Sequence, residues 1–97
     1  MRRSNPEPLG NILNDFFSSN DALRQRILVM RVQRAWGELL GPSVMKYTGS
    51  VYVRNRALYV SLTSSVLRSE LMLNREELIR RLNNHAGGEV IVDIVMR

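Results

Sequence analysis

The sequence has 97 residues, of which 44% are hydrophobic, so it suffices for one small domain and is too short for two. It contains no cysteine, which excludes a disulfide framework, a thiolate metal site and a cysteine nucleophile. The formal net charge is +5, and all but one of the 14 basic residues are arginine, whose planar donors suit phosphate and carboxylate groups.

The N-terminal part is predicted to contain a tail and two helices. Residues 1–7 are expected to be flexible, and residues 8–97 to form a single domain. Apolar residues recur at helical spacing over residues 8–18, which predicts the first helix. The second helix is predicted to end at Gly41, because proline follows and cannot continue a helix. Its apolar face includes Trp36, which is expected to lie in the core.

A β-hairpin is predicted next. Residues 50–53 and 57–62 are rich in β-branched and aromatic side chains, and residues 54–56 supply the turn. Apolar residues alternate with Tyr52 and Tyr59, so one face of the hairpin must be covered by helices. Two interpretations of the tyrosines remain open. They form a cross-strand pair that stabilises the sheet, or they are exposed stacking platforms for single-stranded nucleic acid.

The apolar period changes from two to 3.6 after the hairpin, which predicts a helix with Ser64 or Ser65 as its N-cap. Asn74 and Glu77 have the spacing of a capping box. We therefore predict a break near Asn74. Arg80 and Arg81 have glutamates four residues before them, and these two arginines together with Arg75 are interpreted as a self-paired surface.

The helix should end at Gly87 and Gly88, since glycine adopts the left-handed C-cap conformation. A phosphate loop is disfavoured there, because such loops lie at helix N-termini. The last strand is predicted over residues 90–96, mostly buried, and the long connection allows it to lie parallel to a neighbour. The element order predicts a two-layer α+β domain, with helices covering one face of a three-stranded sheet.

Catalytic constellations are absent from the sequence. His85 is the one histidine and lies at a predicted helix end, where a cation favours the dipole, so a capping role is favoured. Neither a nucleophile elbow nor a Walker loop occurs. We expect neither an enzyme nor a cofactor. A signal peptide and a bilayer-length apolar run are also missing, so we expect a cytoplasmic protein without a membrane partner.

Two basic clusters are candidates for contacting nucleic acid or a partner protein. One lies on the polar face of the second helix, where Arg34 can pair with Glu38. The other surrounds the hairpin turn, which has few acidic neighbours. The candidate residues are Arg24, Arg31 and Arg34 on the helix, Lys46, Arg54 and Arg56 around the hairpin, and Tyr52 and Tyr59 on its strands. Arginine-favouring codon usage in the host genome is the alternative explanation of the charge.

Several short motifs occur in a distinctive order and spacing. They are Val32, Trp36, Leu40, Gly41-Pro42, Leu58-Tyr59-Val60, Ser64-Ser65, Glu70-Leu71, Leu82-Asn83 and a closing Val-x-x-Ile pattern. Together they resemble the DciA family of bacterial proteins over residues 9–97. The resemblance implies a non-enzymatic adaptor of chromosome replication, which binds the replicative DNA helicase and assists its loading onto DNA.

The resemblance also implies a fold similar to the KH type of nucleic-acid-binding domain, of the type II kind. Such a domain carries Gly-x-x-Gly between its two central helices, where residues 71–74 of this chain read Leu-Met-Leu-Asn. The usual clamp on the nucleic-acid backbone is therefore missing. Longer family members also carry a basic extension that contributes to helicase contact, whereas this sequence ends with the predicted last strand.

Two alternatives stand beside the adaptor. The first is a stand-alone module that binds RNA or DNA, single- or double-stranded, through Tyr52 and Tyr59. The second is a homodimerisation domain, because Leu23, Ile27 and Met30 form a further apolar strip beside the basic face of the second helix.

Overall fold

The computed structural model of the protein describes residues 21–97. The elements in chain order are α1 (Asp21–Met45), β1 (Thr48–Arg54), β2 (Ala57–Leu62), α2 (Ser65–Leu73), α3 (Arg75–Ala86) and β3 (Asp93–Met96). The predicted helix over residues 8–18 and the predicted tail lie outside the described residues. Helices pack on a three-stranded mixed sheet, which confirms the predicted α+β class.

The sheet has the strand order β1-β2-β3. β1 is antiparallel to β2, and Arg54 pairs with Ala57, which leaves a two-residue turn. The turn residues Asn55 and Arg56 have φ values of 52° and 61°. Positive φ at both positions is typical of a type I′ turn, whose twist matches that of the strands. β3 lies parallel to β2, so the predicted hairpin and the predicted parallel strand are both confirmed.

A bulge interrupts β1 near its start. Thr48 pairs with Leu62 and Val51 pairs with Val60, so β1 has one more residue than β2 between these pairs. The Ser61 side chain fills the irregularity, and a Cβ at Gly49 would lie 2.5 Å from Ser61 Oγ. A side chain at this position would force the Ser61 hydroxyl to move, which favours glycine there.

The core lies between the helices and one face of the sheet. Trp36 is fully buried, and its Nε1 donates a hydrogen bond to Thr48 Oγ1 at 3.2 Å. The one polar atom of the indole is thereby satisfied, as a buried tryptophan requires. Other fully buried side chains include Val32, Leu58, Val60, Leu82 and Ile91. The predicted core position of Trp36 is confirmed.

Helix α1 is kinked at the position where the sequence predicts its end. Gly41 has a left-handed φ of 84° with ψ of 176°, and Pro42 follows. Helical backbone then resumes as far as Met45. Proline is tolerated in the first turn of the resumed helix because its missing N–H has no helical acceptor there. The predicted end at Gly41 is therefore a kink.

Helices α2 and α3 are separate, as predicted, with Asn74 between them at φ −113° and ψ 26°. Ser64 is the N-cap of α2, since its Oγ accepts a hydrogen bond from Leu67 N at 3.1 Å. The predicted capping box is wrong, because Asn74 makes no side-chain capping bond. Glu77 instead pairs with Arg80 at i, i+3, so the predicted i, i+4 pairing is also wrong there.

The end of α3 and the loop after it are fixed by one buried side chain. Gly87 has a φ of 97° and caps the helix, as predicted, and the N–H groups of Gly87 and Gly88 both donate to Asn83 O. Asn83 Oδ1 accepts from Val90 N at 2.9 Å and Ile91 N at 3.1 Å. Its Nδ2 donates to Ile91 O at 2.9 Å. This role of Asn83 was not predicted from the sequence.

The last strand is shorter than predicted, because only Asp93–Met96 pair as a strand. Val90 and Ile91 are buried, but they bond to Asn83 and form a loop. Val92 is 59% exposed. The prediction of a mostly buried strand over residues 90–96 is therefore wrong at Val92, because the Asn83 contacts interrupt the strand geometry.

Candidate interaction surfaces

The described residues contain no grouping typical of a metal site. Between residues 21 and 97, no three His, Asp or Glu side chains are placed to hold a metal ion. No helix in the same range has both the length and the apolar character needed to cross a bilayer. His85 lies in the last turn of α3, and its Nε2 is 2.7 Å from Glu38 Oε1 on α1. Glu38 thus bonds to His85 and not to Arg34, the predicted partner.

The arginine face of α1, defined as Arg24, Arg31 and Arg34, lies beside the C-terminal end of α3. Arg31 Nη1 donates to Ala86 O at 3.4 Å, which places a positive charge at the negative end of the α3 dipole. Arg24 and Arg31 line a shallow cavity of about 90 Å³, and Arg31 and Arg34 line a second of about 220 Å³. The structure brings the three arginines together. All three arginines are exposed, and Arg31 in addition stabilises the end of α3 through its bond to Ala86 O.

Two of the three basic residues predicted around the hairpin lie at its turn, and the third, Lys46, lies at the other end of β1. Arg54 ends β1 and is exposed. Arg56 Nη2 donates to Glu89 O at 3.5 Å, so its side chain reaches the loop before β3. Lys46 precedes β1, and a strand of this length places it roughly 25 Å from the turn. The prediction that Lys46 joins the hairpin cluster is therefore wrong.

The open sheet face, defined as Ser50, Tyr52, Arg54, Tyr59, Ser61 and Arg97, lies on the side of the sheet opposite the core. Tyr52 and Tyr59 are directly opposite in register, with ring centroids 5.1 Å apart and an angle of 5° between the rings. Arg97 Cζ lies 5.2 Å from the centroid of the Tyr59 ring. The predicted cross-strand pair is confirmed. Tyr52 is also 41% exposed, so the stacking interpretation remains a prediction.

The α2 apolar surface, defined as Val66, Met72 and Leu73, was missed by the sequence analysis. These side chains are 73%, 50% and 81% exposed, and α2 has no buried residue. Leu67 and Leu71 on the other side of the helix are half-buried against the core. The available signal was that apolar residues occur on more than one side of this short helix. Only one side can face the sheet.

Gln33 is a second residue that the sequence analysis missed. Its Oε1 accepts a hydrogen bond from Val53 N at 3.0 Å. Val53 belongs to β1, which is an edge strand of the sheet. Because unpaired edge groups invite pairing with another chain, Gln33 protects this part of the edge.

The apolar strip that suggested a dimer is only partly open. Leu23 and Ile27 are half-buried, and Met30 is 53% exposed. Ile27 also lines the cavity beside Arg24. An exposed surface centred on one methionine is small for a stable dimer interface.

Comparison with known proteins identifies a family for almost the whole chain. The family model described as "Dna[CI] antecedent, DciA" matches residues 8–96. The match confirms the resemblance seen in the sequence motifs. Proteins of this family are associated with the replicative DNA helicase and with helicase loading in bacteria. The search of the curated proteins gave no match to this chain.

Proposed function

We propose that this chain, which belongs to the DciA family, is a non-enzymatic adaptor that binds the replicative helicase and assists its loading onto DNA. The observation that carries the proposal is the family match over residues 8–96. Its place of action would be the bacterial cytoplasm, and its fold would be similar to the KH type. The order of β1, β2, α2, α3 and β3 supports that fold assignment.

The α2 apolar surface is the face that we assign to the helicase. Val66, Met72 and Leu73 project from a helix that buries none of its residues. Apolar anchors that become fully desolvated supply most of the binding energy in protein interfaces, and burying one is worth about 1.5 to 3 kcal/mol. Met72 and Leu73 also lie where a nucleic-acid-binding KH domain has its glycine clamp, so a protein partner suits this junction better than a phosphate backbone.

The arginine face of α1 is assigned a supporting, electrostatic role. Arg24 and Arg34 are exposed, whereas Arg31 is bound to Ala86 O. Exposed charges of this kind accelerate association with an acidic surface and lose their effect as salt rises. We therefore expect Arg24→Glu with Arg34→Glu to slow the association with the helicase. The dissociation rate should change less.

The direct test mixes the purified chain with the purified replicative helicase of the same bacterium. We expect a complex by titration and an increase in the helicase loaded onto single-stranded DNA. Leu73→Asp should weaken the complex at least tenfold, because one buried anchor is replaced by a charge. Val92→Asp is the matched control, since Val92 is also exposed but lies outside α2. A mixture of pure components that forms no complex at low or moderate salt would contradict the proposal.

Two alternative functions have separate tests. A stand-alone nucleic-acid-binding module is favoured by the Tyr52 and Tyr59 pair, and it predicts binding to RNA or DNA with no helicase complex. A homodimer would use the strip of Leu23, Ile27 and Met30. Light scattering that finds only monomers at high protein concentration would remove that alternative.

A further inference from the structure

We infer that the open sheet face is a binding site for single-stranded nucleic acid, in which a base stacks on Tyr52 and a neighbouring phosphate contacts Arg54. The site lies on β1 and β2, on a different part of the domain from the α2 apolar surface. The inference deepens the proposed function, because a helicase adaptor works beside a DNA strand. The side chains of this face would bind a single strand whether or not the helicase is present.

The aromatic stack has one uncovered end. β1 and β3 flank β2 on opposite sides, so Tyr52 and Arg97 approach the Tyr59 ring from opposite sides. Both sides of the Tyr59 ring are therefore occupied. Tyr52 is on the outer strand and 41% exposed, and its outer surface is the place where a further planar group extends the stack. Bases stack on aromatic side chains in this way without regard to sequence.

The charges of this face match a phosphate chain. Arg54 lies two residues beyond Tyr52 on β1, which places both on the same face roughly 7 Å apart. Arg97 adds a second positive charge on the β3 side. Asp93 is in register with Ala57 and Arg54 and therefore lies on the same face, and Arg75 at 3.5 Å offsets part of its negative charge. A base on Tyr52 therefore has a guanidinium beside it that can take the adjacent phosphate.

A small open cavity with both polar and apolar lining adjoins the two rings. It has a volume of about 190 Å³ and is lined by Ser50, Tyr52, Tyr59, Val60, Ser61 and Arg97. The hydroxyl oxygens of Ser50 and Ser61 are 3.3 Å apart, and each hydroxyl can donate or accept. A floor of hydroxyl groups beside an aromatic wall suits the edge of a base.

The face favours a single strand over a duplex. The bases of a duplex are already stacked on each other, so their faces are not available to Tyr52. A single strand offers both its bases and its phosphates. DNA and RNA share this chemistry, and the 2′-hydroxyl is the group that would distinguish them.

The test uses fluorescence of the full chain without helicase. Trp36 is the one tryptophan and is fully buried, so it supplies a constant background. Tyr52→Trp introduces an indole at the proposed stacking position. We expect its emission to be quenched on titration with oligo-dT and oligo-rU and less with a duplex, and the affinity to fall as salt rises. Comparison of the dT and rU titrations tells which strand is preferred.

Variants then separate this site from general attraction to a basic protein. Tyr52→Leu and Arg54→Ala should each weaken single-strand binding roughly tenfold. Arg54→Ala should also reduce the dependence of the affinity on salt concentration by the amount expected for about one lost phosphate contact. Tyr47→Leu and Arg56→Ala are the matched controls, since Tyr47 is 44% exposed elsewhere and Arg56 is bound to Glu89 O. Circular dichroism should show that all four variants are folded.

Three results would overturn the inference. They are the absence of quenching in Tyr52→Trp, equal losses in the matched controls, and quenching by a protein partner but not by single strands. The same variants should retain helicase binding. If the helicase complex forms but Tyr52→Trp shows no quenching, the nucleic-acid site is contradicted and the proposed function stands. If quenching occurs but no helicase complex forms, the proposed function is contradicted and the nucleic-acid site stands.

Discussion

The α2 apolar surface and the open sheet face lie on one small domain but have opposite chemistry. The first exposes aliphatic side chains from a helix that has no buried residue. The second exposes rings, hydroxyls and guanidinium groups that already contact one another across the strands. Aliphatic side chains are stabilised when a protein partner buries them. Stacked rings and guanidinium groups are instead stabilised by planar bases and by phosphates. The difference indicates that the domain can bind a protein and a nucleic acid through separate surfaces. Substitutions on each surface can test this separation.

The largest expected effect comes from Asn83→Ala. The change leaves the buried N–H groups of Val90 and Ile91 without acceptors, which should lower the free energy of unfolding by about 3 kcal/mol. The loop before β3 would loosen first, so the open sheet face should be disturbed more than the α2 apolar surface. Urea unfolding measures the loss, and hydrogen exchange should show early opening of β3. Equal opening of α2 would contradict this order.

Leu73→Asp should separate the two surfaces most cleanly. Because Leu73 is 81% exposed, the free energy of unfolding should change by less than about 0.5 kcal/mol. Helicase binding should weaken by about 2 kcal/mol, while single-strand binding stays the same. Titration of both ligands against the same preparation provides the measurement. A parallel loss of both would show that the surfaces are not independent.

Gly49→Ala should damage the open sheet face through its bulge. The new Cβ would meet Ser61 Oγ at 2.5 Å, and the forced shift should cost about 1.5 kcal/mol of unfolding free energy. Ser61→Ala removes the clashing oxygen, so the double variant should recover most of the stability. Thermal unfolding of the original chain, the two single variants and the double variant measures these stabilities as a double-mutant cycle. No recovery would mean that another contact requires the glycine.

Ser64→Ala should act on the other surface. Ser64 Oγ accepts the hydrogen bond from Leu67 N at the start of α2, and losing such a cap costs about 1 kcal/mol. The helix would fray at its N-terminus, so helicase affinity should fall while single-strand affinity is retained. Ser69→Ala is the control, since Ser69 is an exposed serine of the same helix. Identical affinities in both variants would argue against a role for α2 in helicase binding.

The smallest effect concerns pH and neither surface. The hydrogen bond from Arg80 holds the pKa of Glu77 below its usual value of 4.5. Glu77 is therefore charged in the folded state at pH values where the unfolded chain is already partly protonated. Its stabilising contribution is complete above the unfolded pKa and is lost as pH falls through the lower folded pKa. Urea titrations at several pH values should show that Glu77→Gln slightly reduces the loss of unfolding free energy at low pH. The effect is small because the side chains of Glu77 and Arg80 are both exposed.

Local features were predictable because neighbouring residues determine them. The hairpin turn and the Gly87 cap follow from turn and cap chemistry within a few positions. The break at Asn74 was predicted at the right place, but from a capping box that does not form. The burial of Trp36 followed from helical periodicity. The family was also recognisable, since it depends on the order of such motifs.

The candidate site was less predictable, because a side chain's availability depends on what packs beside it. All three arginines of α1 were candidates, but Arg31 is bound to a carbonyl 55 positions away. Arg54 and Arg56 were equivalent in the sequence, yet only Arg56 is bound to the loop at Glu89. The exposure of Leu73 was likewise invisible, since helical periodicity does not say how much of a helix its neighbours cover.

The sequence by itself determined the class of domain, its main breaks and its family, because periodicity, caps and turns are properties of short segments. Tertiary structure alone decided which polar groups meet. His85 and Glu38 are 47 positions apart in the sequence, and Asn83 reaches across its own loop to fix the approach to β3. Tertiary structure also brought the rings, hydroxyls and Arg97 onto one open face. That placement depends on strand register and on a parallel third strand, which no short segment specifies.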